Sequence, residues 1–122
     1  MDRRELGARA EDAAVDFLKR KGMRILGRNL RTRRGEIDCI ALDKKTLVFV
    51  EVKAQTGAGG TYPEEKVTTA KQRRLARLAL EYMRKNRVTD THVRFDVVAV
   101  TYGEGEPEIY HIPNAFDADI DI

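Results

Sequence analysis

Among the side chains able to do chemistry, the densest set lies in "GEIDCIALDKKTLVFVEVKAQ", Gly35 to Gln55, where the apolar run "TLVFV" leads straight into Glu51-Val52-Lys53 and Asp38 stands shortly before it. Side chains alternate along a strand, so Leu47, Phe49, Glu51 and Lys53 share one face and Val48, Val50 and Val52 the other. The valine face is expected in the core. A turn at Lys44-Lys45, or over the four residues Asp43 to Thr46, sets one antiparallel register. Leu42 then faces Leu47, Ile40 faces Phe49, Asp38 faces Glu51 and Glu36 faces Lys53. Opposed residues lie with Cβ atoms ~4.5–5.5 Å apart, so this register brings two carboxylates together, which is destabilising unless something offsets it. A shared proton, the Lys53 ammonium or a divalent cation would do so. Mg²⁺ or Mn²⁺ suits clustered carboxylate oxygens. Two acids, such an ion and a lysine can hydrolyse a phosphodiester, the ion acidifying water and the lysine orienting that water or neutralising developing charge. The competing arrangement is a cross-strand ion-pair cluster of Asp38, Glu51, Lys53 and Arg94 on a half-exposed sheet face. A three-residue loop without a compensating bulge would instead put the carboxylates on opposite faces.

These residues need elements to hold them. Leu6, Ala10, Ala13 and Phe17 recur at helical spacing, with Ala14 and Leu18 widening the stripe, and Gly22 ends the helix. Glu11 stands at the border of that stripe beside Gly7 and Leu18, where a helix packed on a sheet can aim it at the strand carboxylates. The alternative is an ion pair of Glu11 with Arg4 or Lys19. Three runs follow, around "MRILGRNL", "EIDCIAL" and "TLVFVEVK", and read as a strand meander. The loop "TGAGGTYPEE" lacks the spacing of a phosphate loop. It leads to Thr68, a good N-cap, and a second helix through about Arg87. Leu75, Leu78, Ala79, Tyr82 and Met83 form one face of that helix. The opposite arc holds Lys71, Arg73, Arg74, Arg77, Arg84 and Lys85. "VRFDVVAVTY" is a further strand, and "PEIYHIP" a short edge strand after the "GEGE" turn.

With 122 residues the chain is expected to be one domain, able to bury roughly two-thirds of the surface its unfolded form exposes. The single Cys39 has no partner for a bridge and reads as a buried thiol in a reducing compartment. The charged N-terminus "MDRRELGARAED" is unlike a signal peptide, and no apolar run is long enough to cross a bilayer. A soluble, cytoplasmic protein is expected. Net charge is only +3, but residues 2–34 hold eleven Lys or Arg against five acids, and residues 66–87 hold eight against Glu81 alone. From Thr101 onward there are six acids and no Lys or Arg. Such asymmetry suits a polyanion, and Lys71, Arg73, Arg74 and Arg77 are the residues expected to meet nucleic-acid phosphates; an idle solvated face is the plainer reading. His92 and His111 stand isolated and are expected at solvated strand ends. Asp96 is expected to pair with Arg94 in a structural role, the alternative being that it assists the site through Arg94.

The set Gly7-x-x-x-Glu11, Gly35-Glu36-x-Asp38 and Glu51-x-Lys53 resembles the PD-(D/E)XK nuclease superfamily, and within it the small archaeal Holliday junction resolvases. Over nearly the whole chain the blocks "GARAEDAAVDFL", "GEIDCIA", "LVFVEVKAQ", "KQRRLARLALEYM" and "RFDVVAV" resemble the YraN-like family of uncharacterised bacterial proteins. The resemblance implies an α/β fold with a restriction-endonuclease-like αβββαβ core, a mixed sheet flanked by helices. It implies Glu11, Asp38, Glu51 and Lys53 in the nuclease positions, with Mg²⁺ or Mn²⁺ held by Asp38, Glu51 and Glu11. The activity implied is a metal-dependent endonuclease on DNA, with branched or junction DNA and a homodimer suggested by the resolvases. Ile37 stands where the proline of the motif would be. Ala54-Gln55 replaces the arginine often found after the lysine, and Gln55, on the strand face of Lys53, can hydrogen-bond a phosphate or water. Two other classes compete: a non-catalytic nucleic-acid-binding module on the same fold, and a protein-interaction subunit using the apolar edge near "IYHIPNAF".

Overall fold

A computed structural model describes residues 2–57 and 67–117. Most of the "TGAGGTYPEE" loop lies outside the described residues. Helix α1 (Arg3–Arg20) starts at Asp2, whose Oδ1 accepts the Glu5 N–H at 2.8 Å, and stops at Lys21 before Gly22, whose φ is +95°. Strands β1 (Arg24–Thr32), β2 (Gly35–Asp43) and β3 (Thr46–Thr56) follow as an antiparallel meander. Helix α2 (Thr69–Lys85) starts at the expected Thr68 cap, whose hydroxyl accepts the Lys71 N–H at 3.2 Å. Strands β4 (Val93–Tyr102) and β5 (Glu108–Ile112) complete a five-stranded sheet in the order β1-β2-β3-β4-β5. Among the described residues only β3 and β4 pair in parallel, and α2 is the crossover that such a pair requires.

Both faces of the sheet are covered. Ala10, Ala14, Val15 and Leu18 of α1 pack with Val48, Val50, Val98 and Val100 on one side. Leu75, Leu78, Ala79 and Met83 of α2 pack with Leu47, Phe49 and Phe95 on the other. The valine face is core as expected, and so is the opposite face as far as Glu51. Alternation delivers Glu51 into this second, buried layer, where it is 5% exposed.

The two-residue Lys44-Lys45 turn is confirmed by the Asp43–Thr46, Leu42–Leu47 and Ile40–Phe49 pairs, with Lys44 at φ +56°. The ladder ends at Cys39–Val50, one step before Asp38 and Glu51 would pair. There the alternation of β2 slips: Ile37 and Ile40 both join the α2-side cluster, while Cys39 and Ala41 join the α1 side. Cys39 is buried and unbridged, as expected, and burial pushes its thiol up to about 11.

Candidate active site

Where β2 and β3 part, Asp38 turns its carboxylate into the gap, and its Oδ2 accepts the Val52 N–H at 2.9 Å. A donor that would otherwise be unmatched past the end of the β2–β3 ladder is thereby satisfied. Burial, and then the neighbouring Glu51 carboxylate, push the Asp38 carboxyl up to about 7, against the Val52 N–H and the Lys71 ammonium, which lower it. The two strand acids are thus electrostatic neighbours, as the register implied, though by a splayed route.

Glu11 reaches the same place from α1. Glu11, Glu36 and Asp38 each offer an oxygen, and the three atoms lie within 4.8 Å of one another. The Asn29 amide, turned with its nitrogen toward the acids, donates to Glu36 Oε1 and Glu11 Oε1, each at 2.9 Å. Asn29 lies in β1 at φ +49°, a conformation asparagine tolerates better than most residues. Burial first, and then Glu36, raise the Glu11 carboxyl above its usual range, and Asn29 moderates the rise. The pairing of Glu11 with Arg4 or Lys19 is not the arrangement formed. Glu36 keeps one ion pair, with Arg31 Nε at 3.6 Å.

Glu51 stands apart from this trio and is neutralised from the other side. Its Oε1 pairs with Lys71 Nζ and lies 3.5 Å from Lys53 Nζ. Burial, then the adjoining Lys71, lower the Lys53 pKa. For Lys71 burial acts downward too, but the hydrogen bonds to Glu51 and Lys53 and the charges of Glu51 and Asp38 together outweigh it and the pKa is raised. The expected opposition of Glu36 and Lys53 lies beyond the paired part of the ladder. Gln55 Nε2 donates to Thr101 Oγ1 of β4 at 2.8 Å.

Lys71 is the largest departure on the nucleic-acid side: it turns inward to Glu51, whereas Arg73, Arg74 and Arg77 stay exposed along α2. Arg77 and Arg84 instead line a cleft with Arg33 and Arg34 of the β1–β2 turn. Glu36 and Asn29 are the site residues that sequence reasoning did not assign, and Lys71 was assigned to phosphates rather than to Glu51. Glu36 was accessible through its i, i+2 relation to Asp38. Lys71 carried a subtler signal, since a lysine in the first turn of a helix opposes the dipole and calls for a nearby carboxylate. Asn29 carried none.

Asp96 pairs with Arg94 as expected, at 2.8 and 3.1 Å, but Arg94 also meets Asp43 and takes no part in the site. His111 is not at a solvated strand end: its side chain is 3% exposed, because Nε2 lies 2.7 Å from Asp96 and the ring packs edge-on to Phe17.

The element order and mixed sheet define an α/β fold, αβββαβ with β5 added at the sheet edge. The profile of "Uncharacterised protein family UPF0102" matches residues 10–100, and the chain belongs to this family, the YraN-like one. A UPF0102 protein of Syntrophotalea carbinolica is 46% identical over 117 residues, 96% of this chain and 95% of its own. One from Rhodococcus opacus is 48% identical over 112 residues, 91% of this chain and 95% of its own. Among solved structures, Pyrococcus furiosus SfsA in complex with Ca²⁺ is similar at a TM-score of 0.43 and 14% identity, covering 87% of this chain and 63% of that one. No helix among the described residues is long and apolar enough to cross a membrane.

Proposed function

We propose that the protein is a metal-dependent endonuclease that hydrolyses phosphodiester bonds in DNA, with branched or junction DNA as the substrate suggested by the resemblance to resolvases. The observation that carries this reading is the meeting of carboxylates from α1 and β2, three oxygens within 4.8 Å, next to buried Glu51 and two lysines. The donor set suits a hard ion: all are carboxylate oxygens, and a cation would offset the burial and then the repulsion that raise the Asp38 and Glu11 pKa values. Glu11, Glu36 and Asp38 lie close enough to share it, and Glu51, the remaining acid of the expected set, would join them by exchanging its lysines. Bound Mg²⁺ or Mn²⁺ would supply positive charge to the phosphate and acidify water.

The chain's own groups do the rest. Asp38 is fixed by the Val52 N–H, so its free oxygen lone pairs are preorganised. Lys53, 21% exposed at the edge of the site, can donate to a phosphate oxygen or to the attacking water. Gln55, two residues on, is a further donor for the strand-face phosphate once its contact with Thr101 is exchanged. Arg73, Arg74 and Arg77, with the arginines of the β1–β2 turn, would carry the flanking phosphates. One observation favours a second reading, a non-catalytic nucleic-acid-binding module: Glu51 is already neutralised by two lysines.

A cleavage panel of single-stranded, duplex, flap and four-way DNA with Mg²⁺ and Mn²⁺, run beside Asp38→Ala and Lys53→Ala, separates the two. Cutting by the parent that both variants lose supports the nuclease. Binding without cutting supports the module.

A further inference from the structure

Glu51 is a buried carboxylate that needs positive charge beside it, and the fold provides more than one source. Lys71 Nζ and Lys53 Nζ both lie against the same oxygen, Oε1. Two ammonium groups on one oxygen repel each other, so one is in excess for neutralising Glu51 alone. Their tethers differ. Lys53 is on β3, two residues from Glu51, with its side chain 21% exposed, whereas the Lys71 side chain rises from the first turn of α2 and is 35% exposed. Glu51, 5% exposed at the centre of the sheet, cannot follow either. A long unbranched lysine side chain at this exposure can swing its ammonium into water while its helix stays in place.

We propose that Lys71 is the exchangeable counter-ion of Glu51: its ammonium neutralises the carboxylate while no divalent cation is bound, and leaves when the cation recruits Glu51. The inference rests on the metal reading of the site and assigns Lys71 a positioning role in it. A divalent ion on Glu51 and an ammonium on the same oxygen exclude each other by charge repulsion. The ion-free protein therefore keeps its buried carboxylate neutralised, at the cost of a competitor that every incoming ion must displace. Lys71 thus acts in opposite directions on the two states, stabilising the fold without the ion and weakening ion affinity.

Mn²⁺ titration by calorimetry and thermal melting in chelator, on the parent, Lys71→Met and Lys71→Gln, test this. Gln keeps a hydrogen-bond donor for Glu51 without the charge, so one variant folds even where Met does not. Both variants are expected to bind Mn²⁺ about tenfold more tightly than the parent, within the range of coupled binding events, and to melt lower without it. In the unmodified protein, Mn²⁺ is expected to raise the reactivity of Lys71 toward an acylating reagent, read by mass spectrometry, and to leave exposed Lys85 unchanged. Affinity that is unchanged or weaker in both variants, or Lys71 reactivity that Mn²⁺ does not alter, overturns the exchange and leaves Lys71 a structural partner of Glu51. No heat of binding in parent or variants overturns the metal reading itself, and the exchange with it.

Discussion

Asp38 gains little from being ionised in the ion-free fold. Its carboxyl keeps a proton to about pH 7 because it is buried beside Glu51, whereas an unfolded aspartate releases it near ~3.9. Between those values the native state binds the extra proton, so this group makes stability fall as pH rises from about 4 through about 7. Asp38→Asn still accepts the Val52 N–H and removes the charge. It is expected to be more stable than the parent at pH 8 in chelator by on the order of 2 kcal/mol, narrowing toward pH 4.5. Urea denaturation at both pH values checks this, and a pH-independent difference would refute the assignment. The other strand residues separate by kinetics. Glu51→Gln is expected to lower metal affinity and cleavage together, with partial rescue at high Mn²⁺. Lys53→Met should leave metal binding nearly intact while slowing turnover ~10²-fold, the scale of losing one donor to the transition state. Variants that both cut like the parent would trace the activity to a contaminant.

At the scale of elements, the site exists because three of them end or bend at one place. Strand β2 leaves β3 after Cys39–Val50, β1 turns through Asn29, and α1 lies across the gap with Glu11. Helix α2 closes the other side, lying so near the β1–β2 turn that a Cβ on Gly35, at φ +147°, would come within 3.0 Å of Arg74 Cδ. This contact sets the exposed arginines of α2 next to Arg33 and Arg34. DNA binding through that surface is expected to weaken steeply with salt, because each neutralised phosphate releases counterions. Charge reversal at Arg73 and Arg77 should lower affinity and flatten the salt slope by about two contacts' worth. Fluorescence anisotropy across a salt series measures both, and an unaltered slope would move the binding surface off α2.

Across the whole molecule, a second charged system is centred on Asp96 of β4 and holds elements together without taking part in the site. Asp96, its side chain fully buried, accepts from Arg94, lies 2.7 Å from His111 Nε2 and takes the Asn114 N–H at 3.0 Å. Lys21, just after α1, meets His111 Nδ1 at 2.9 Å, and Arg94 reaches Asp43 at the β2–β3 turn. Lysine can only donate, so the imidazole proton sits on Nε2 and points at Asp96. Burial acts to raise the Asp96 pKa, but His111, Arg94 and the Asn114 N–H outweigh it and hold the carboxyl below the usual aspartate range. Its contribution is therefore present above about pH 4 and lost as pH falls through the lowered value. Asp96→Ala is expected to cost about 3–5 kcal/mol at pH 7, the scale of breaking a buried pair, with no effect on Mn²⁺ affinity. A loss below 1 kcal/mol, or an altered metal affinity, would contradict this separation of the two systems.

Short-range pattern alone determined much of this protein. The period of Leu6, Ala10, Ala13 and Phe17 specified α1, Thr68 specified the start of α2, and the Lys44-Lys45 turn specified the pairing of β2 with β3, because each depends on residues a few positions apart. The nomination of Asp38, Glu51 and Lys53 followed from alternation across that turn. Tertiary structure decided what alternation cannot reach. It buried both faces of β3, ended the ladder at Cys39–Val50, brought Glu36 and Asn29 to Glu11, turned Lys71 inward, and buried His111 against Asp96. These outcomes depend on where a helix lies on a sheet and on which charge needs a counter-charge once water is gone. That balance is set by contacts between residues fifteen to ninety positions apart, such as Asp96 with His111 and Lys21 with His111.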